Sequence, residues 1–134
     1  MRTLFALMLV LAACSAPPAA SDPLAGTRWQ LVEVHYADGT VVTANGEALS
    51  FRDGTVWFQS GCNGCSVAYI VEGDLLRTGV QATCTEMACP PGDPTLSTLL
   101  LGAMRFVQEN DQLRIEPADT TAQQPTLIFR RADG

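Results

Sequence analysis

The rhythm of turn signals constrains this chain most. Asp38-Gly39, Asn45-Gly46, Asp53-Gly54, Glu72-Gly73-Asp74 and Asn110-Asp111 punctuate it repeatedly, and each uses residues that favour or tolerate the left-handed backbone of tight turns. Between them lie short apolar, β-branched or aromatic runs. These are Arg28–Tyr36, Ala48–Phe51, Val56–Ser60, Ser66–Val71, Leu75–Gln81, Met104–Glu109, Gln112–Glu116 and Thr126–Arg130. Such spacing predicts antiparallel hairpins in a sheet or barrel. Alternation is cleanest late in the chain, where Met104/Phe106, Leu113/Ile115 and Leu127/Phe129 each lie two apart. The first run is less regular. Trp29 and Leu31 share one face while Val32, Val34 and Tyr36 share the other, which implies burial on both sides or a bulge.

One segment departs from the β rhythm. Leu96, Leu99, Leu100 and Ala103 recur at helical spacing, and Asp93-Pro94 offers an N-cap followed by proline at the first helical position. The expected fold is therefore mainly β (α+β). It is an antiparallel, barrel-like curled sheet of about seven or eight strands, with one helix near residues 94–103 that plugs or covers the sheet. A chain of 134 residues has room for one hydrophobic core of this kind and not for two.

The N-terminus reads as an address. Met1-Arg2 is followed by an uncharged apolar run through Ala13. That run is too short for a spanning helix, which needs roughly 20 residues, and has the form of a secretory h-region. Leu11-Ala12-Ala13-Cys14 resembles the bacterial lipobox, in which the thiol of the cysteine accepts a diacylglycerol. The expected organisation is a lipoprotein signal peptide over 1–13, a lipidated Cys14 with a flexible Pro-rich tether over 14–23, and a folded domain over 24–131. Two or three acyl chains on Cys14 give stable anchoring where one is marginal. Ser15 is not the aspartate that retains lipoproteins in the inner membrane of enteric-type bacteria. The expected location is thus the cell envelope, lipid-anchored at the outer membrane and facing the periplasm.

All 8 basic side chains are arginine, against 14 acidic ones, for a net charge of −6. Phosphate binding begins with a cationic surface, so nucleic acid is an improbable partner on composition alone. Cleavage before Cys14 would remove Arg2 and leave 7 basic against 14 acidic groups, a net charge of −7.

Four further cysteines cluster as Gly61-Cys62-Asn63-Gly64-Cys65 and Thr83-Cys84-Thr85-Glu86-Met87-Ala88-Cys89. A tetrathiolate zinc site would want a second knuckle like the first and a reducing compartment. A redox Cys-x-x-Cys needs a thiolate activated by a helix N-terminus or a nearby cation. Two structural disulfides fit export and the even count best. Of the three connectivities, Cys62–Cys89 with Cys65–Cys84 has the near-constant index sum of antiparallel neighbours, 151 and 149. No cofactor and no metal is expected.

These residues carry a resemblance. Leu24-Ala-Gly-Thr-Arg-Trp29-Gln-Leu31, Gly61-Cys62-Asn63, Thr85-Glu-Met87-Ala-Cys89, Leu113-Arg-Ile115 and Thr126-Leu-Ile-Phe-Arg130 resemble the META domain of HslJ-like envelope lipoproteins, over nearly all of 24–131. The resemblance implies a mainly antiparallel, barrel-like fold with one helix. It also implies a cysteine pair equivalent to Cys62 and Cys89, and an association with heat shock and antibiotic tolerance rather than catalysis. Trp29, Gly61, Cys62, Asn63, Thr85, Met87 and Cys89 are the motif residues. The sequence departs from the family pattern at Cys65 and Val67, where an aromatic residue and a glycine are common, and at Glu86, where a basic residue is common. Cys65 and Cys84 thus read as an added second bridge.

No catalytic residue is expected. His35 is the one histidine and reads as a strand residue without a nucleophile elbow elsewhere. Asn63 is expected to bond backbone in its own turn, Trp29 and Trp57 to sit in the core, and Met87 to pack on the sheet. Two functions fit. The first is a non-catalytic lipoprotein that supports envelope integrity under stress by binding an unknown envelope protein or component. The second is a small barrel-type inhibitor or ligand-binding lipoprotein, which would block lysozyme or carry apolar molecules.

Overall fold

The computed structural model describes residues 13–14, 21–44, 46–90 and 96–132. Nearly all of the expected signal peptide, most of the expected tether, Asn45 and the expected helix cap at Asp93-Pro94 lie outside the described residues. Cys14 is described; it is exposed and unbridged. Among the described residues no helix is long and apolar enough to cross a membrane.

Ten strands form a single antiparallel sheet: β1 Arg28–His35, β2 Val41–Thr43, β3 Ala48–Arg52, β4 Thr55–Ser60, β5 Asn63–Glu72, β6 Leu75–Thr78, β7 Thr83–Cys84, β8 Ala103–Glu109, β9 Gln112–Pro117 and β10 Thr126–Arg131. Eight of them, β1, β3, β4, β5, β6, β8, β9 and β10, close a barrel through the pairing of β10 with β1. Closure removes the exposed sheet edges that invite aggregation. The two short strands extend the wall, β2 along β1 and β7 along β5. The hairpins form where the turn signals lie, with Asp53 and Gly54 both at positive φ (53° and 70°) between β3 and β4.

The irregular first strand contains a bulge. Leu31 opposes Phe129 and Glu33 opposes Ile128, so Val32 is the extra residue. The inward phase shifts there from Trp29 and Leu31 to Val34, all buried, which accounts for apolar residues in both phases.

An eight-stranded barrel has an interior just wide enough for side chains to fill. Here Trp29, Phe51, Phe129, Leu113, Ile115 and Leu127 fill it, each at most 1% exposed. Phe51 and Tyr69 meet edge to face at 5.1 Å between centroids. The Trp29 indole donates to Thr27 Oγ1 (2.7 Å), and that hydroxyl donates to the Leu24 carbonyl, so the polar edge of the largest core residue is satisfied. Leu24, fully buried, seals the end at which β3 turns into β4, where Gly26 N–H donates to the Phe51 carbonyl (2.8 Å). The opposite end is sealed by the helix.

That helix, α1 Leu96–Leu99, is shorter than expected. Leu96 and Leu100 are fully buried, and Leu96 accepts from Leu100 N–H (2.9 Å). Gly102 then adopts φ +89° and Ala103 opens β8 opposite Arg77. The apolar stripe therefore ends after one turn, and Ala103, assigned to it by spacing, is an exposed strand residue. The run expected to extend to Gln81 stops as strand at Thr78.

Candidate functional site

The β4–β5 hairpin turns through Gly61-Cys62, with Ser60 paired to Asn63. Gly61 sits at φ +62°, the conformation that a two-residue loop with glycine first requires. Above this tip passes the strand-free segment 85–89, which two disulfides hold in place. Cys62 bonds Cys89 (Cα–Cα 5.5 Å), and Cys65 bonds Cys84 (Cα–Cα 4.1 Å), its direct cross-strand partner between β5 and β7. The bridges are thus nested, as two antiparallel segments facing one another dictate.

Asn63 departs from expectation informatively. It does not bond its own turn; its amide stitches the hairpin to the opposite segment. Oδ1 accepts from Met87 N–H (2.8 Å) and from the Thr85 hydroxyl (2.9 Å), while Nδ2 donates to the Met87 carbonyl (3.2 Å) and approaches Cys89 Sγ (3.2 Å). Thr85 Oγ1 also accepts from Gly64 N–H (3.1 Å), and Thr85 N–H donates to the Gly64 carbonyl (3.0 Å). Gly61, Cys62, Asn63, Thr85 and Cys89 are thereby one clamp. Met87 contributes backbone to it; its side chain is 57% exposed and does not pack on the sheet. Trp29, the remaining motif residue, lies in the core away from this surface.

Beneath the hairpin tip, Glu47 is half-buried. Loss of water raises its carboxyl above the ordinary range, against a lowering contribution from the Gly61 backbone N–H. One Glu47 carboxylate oxygen is buried without a partner among the described residues. His35 lies on β1 with its Nε2 2.6 Å from Glu33 Oε2, both side chains nearly half exposed, a surface contact and not a triad.

The outer wall beside the clamp carries a feature that the sequence reading missed. Trp57 is not a core residue: it is 44% exposed, on the outward phase of β4 between the buried Val56 and Phe58. The alternation of Val56, Phe58 and Ser60 was the available signal, since it puts Trp57 out of phase with the core. The Arg52 guanidinium lies over the Trp57 ring, 5.2 Å from its centroid. Trp57 also borders a groove of about 540 Å³, together with Ala48, Ser50, Gln59, Gly64, Ser66 and Thr83.

Comparison with known proteins agrees with this architecture. A solved NMR structure of a protein from Burkholderia xenovorans superposes with a TM-score of 0.66 at 19% sequence identity, covering 93% of this chain and 100% of that one; at that identity the likeness concerns the fold. No curated protein matches the sequence. The family model described as the META domain matches residues 22–133, a span that includes every barrel strand, the clamp and the groove. The chain belongs to the META domain family.

Proposed function

We propose that the protein is a non-catalytic envelope lipoprotein. It is anchored through an acylated Cys14, at the outer membrane facing the periplasm, and supports envelope integrity or stress and antibiotic tolerance by binding an envelope component. The observation that carries this reading is the clamp. Its two sulfurs are bound to each other, as are those of Cys65 and Cys84 beside it, its polar atoms are used in holding two segments together, and what it presents outward is a rigid surface. A preorganised surface binds without the entropic cost of ordering a loop. Cys14 is exposed and unbridged, eight residues before Asp22, whose carboxylate accepts from the Tyr69 hydroxyl (2.6 Å). A short tether of that kind suits an anchor.

The ligand-binding alternative gains support from the outer groove and loses it from the barrel interior. Among the described residues the interior is filled by side chains, with Leu24 and α1 at its two ends, which leaves no lumen there for a carried apolar molecule.

Intact mass of the protein from its native host tests the anchor, and complementation tests the role. The reading expects a mature N-terminal Cys14 carrying acyl chains and loss of two hydrogens per bridge. It also expects a deletion strain with a leaky envelope, rescued by the wild-type gene and not by Cys14→Ala. An unacylated Cys14, or full rescue by Cys14→Ala, overturns it.

A further inference from the structure

On the outer wall two rows of side chains cross the strands. Ser50, Trp57, Ser66 and Thr83 are successive cross-strand partners on β3, β4, β5 and β7, so neighbours in the row lie about 4.8 Å apart along the hydrogen-bonding direction. The adjacent row places Gln59 opposite Gly64, between Ala48, whose N–H donates to Gln59 Oε1 (3.3 Å), and Thr85. Trp57 bounds the groove toward the β3–β4 turn, with the Arg52 guanidinium over its ring.

We propose that this groove binds a neutral saccharide, one pyranose ring packing its C–H face against Trp57. The proposal rests on the reading above that the domain binds an envelope component, and it names that component's chemistry as glycan. Three observations carry it. First, no residue lining the groove is ionisable in the bridged protein, although the chain has 22 charged residues (8 basic and 14 acidic); the Arg52 guanidinium beside it is already placed over the Trp57 ring, so the lining itself offers a charged ligand no counterion. Second, an aromatic ring left 44% exposed offers an apolar face to a ligand with one of its own. Third, the hydroxyls of Ser50, Ser66 and Thr83 and the amide nitrogen of Gln59 have no hydrogen-bond partner among the described residues and are available to ring hydroxyls. An acyl chain lying in the groove would strip water from these groups and return no hydrogen bond. The volume, about 540 Å³, falls within the ordinary range for small-molecule sites. Gly64 completes the floor: a Cβ built there meets nothing within 4 Å, so the space over it is open to ligand.

The chain has two tryptophans, one fully buried and one in the groove, so the groove has its own fluorophore. The mature protein, in a detergent without a sugar headgroup, is titrated with oligosaccharides of N-acetylglucosamine, glucose and galactose, and separately with decanol. The expected result is saturable binding of at least one saccharide with a blue shift of emission, weakened tenfold or more in Trp57→Ala. Binding followed by calorimetry is expected to fall equally in Gly64→Val, which fills the floor at a position of ordinary backbone, while its thermal unfolding stays near that of the wild type. Binding of decanol alone, saccharide affinity unchanged in both variants, or no saturable binding by any saccharide overturns the proposal. None of these outcomes touches the acylation and complementation results, so failure here is separable from failure of the envelope reading.

Discussion

Replacing Asn63 with alanine gives a quantitative test of the clamp. The substitution removes two bonds accepted by Oδ1 (2.8 and 2.9 Å) and one donated by Nδ2 to a carbonyl (3.2 Å). Each is worth about 0.5–1.5 kcal/mol net, and water replaces part of it at a half-exposed site, so the expected loss is about 2 kcal/mol. With an unfolding entropy of about 2.1 cal/mol/K per residue over the matched span of residues 22–133, that is a fall in Tm of about 8 °C. Asn63→Asp keeps the two acceptor bonds and loses the donors, and is expected to cost about half as much. Removing the Cys62–Cys89 bridge, which spans 27 residues, costs about 3.5 kcal/mol in the chain-entropy account. Both devices hold segment 85–89, so the triple variant Asn63→Ala, Cys62→Ala, Cys89→Ala is expected to lose about 1 kcal/mol less than the sum. Thermal and urea unfolding of the set measures this. A cost for Asn63→Ala below about 0.5 kcal/mol, or strict additivity with the bridge, would refute the stitched-clamp reasoning.

Other substitutions probe the supports of this surface. Thr27→Val leaves the buried Trp29 indole N–H without its acceptor and is expected to lower stability by about 1–3 kcal/mol, read by urea denaturation. Gly61→Ala forces an L-residue into φ +62°, at about 1–2 kcal/mol. Its Cβ meets only Cys89 atoms at 3.7 Å, so non-reducing mapping should still find the Cys62–Cys89 bridge. The Glu47 carboxyl is raised in the fold by burial, so ionisation opposes folding: its favourable contribution is complete below the unfolded value and fades as pH rises through the folded one. Glu47→Gln, which keeps an acceptor for Gly61, is therefore expected to raise Tm at pH 7 relative to wild type and to change it little at pH 4.

The barrel was legible where periodicity was long. Met104/Phe106, Leu113/Ile115 and Leu127/Phe129 alternate over whole strands, and all six are buried. Short elements carry no period to read: β2 has three residues and β7 two, and both owe their strand form to the neighbour each pairs with. The helical stripe from Leu96 marked α1 but overran its end, because tertiary pairing took the last position: Ala103 has its partner Arg77 in the sheet. At the clamp, spacing indicated which sulfurs face one another but not what Asn63 bonds, since its partners lie 22 to 26 residues away. Trp57 was misplaced because a tryptophan is expected inside, while its phase along β4 says outside. The groove needs four strands to exist, and no single stretch of sequence contains it.

On this reading the paired cysteines hold the surface together and do no chemistry. Cells quenched with acid and an alkylating reagent, followed by non-reducing peptide mapping, test it directly. The account predicts peptides joined Cys62 to Cys89 and Cys65 to Cys84, with no alkyl label on any of the four. Alkylated Cys62 or Cys89 in a substantial fraction of freshly harvested protein would contradict it.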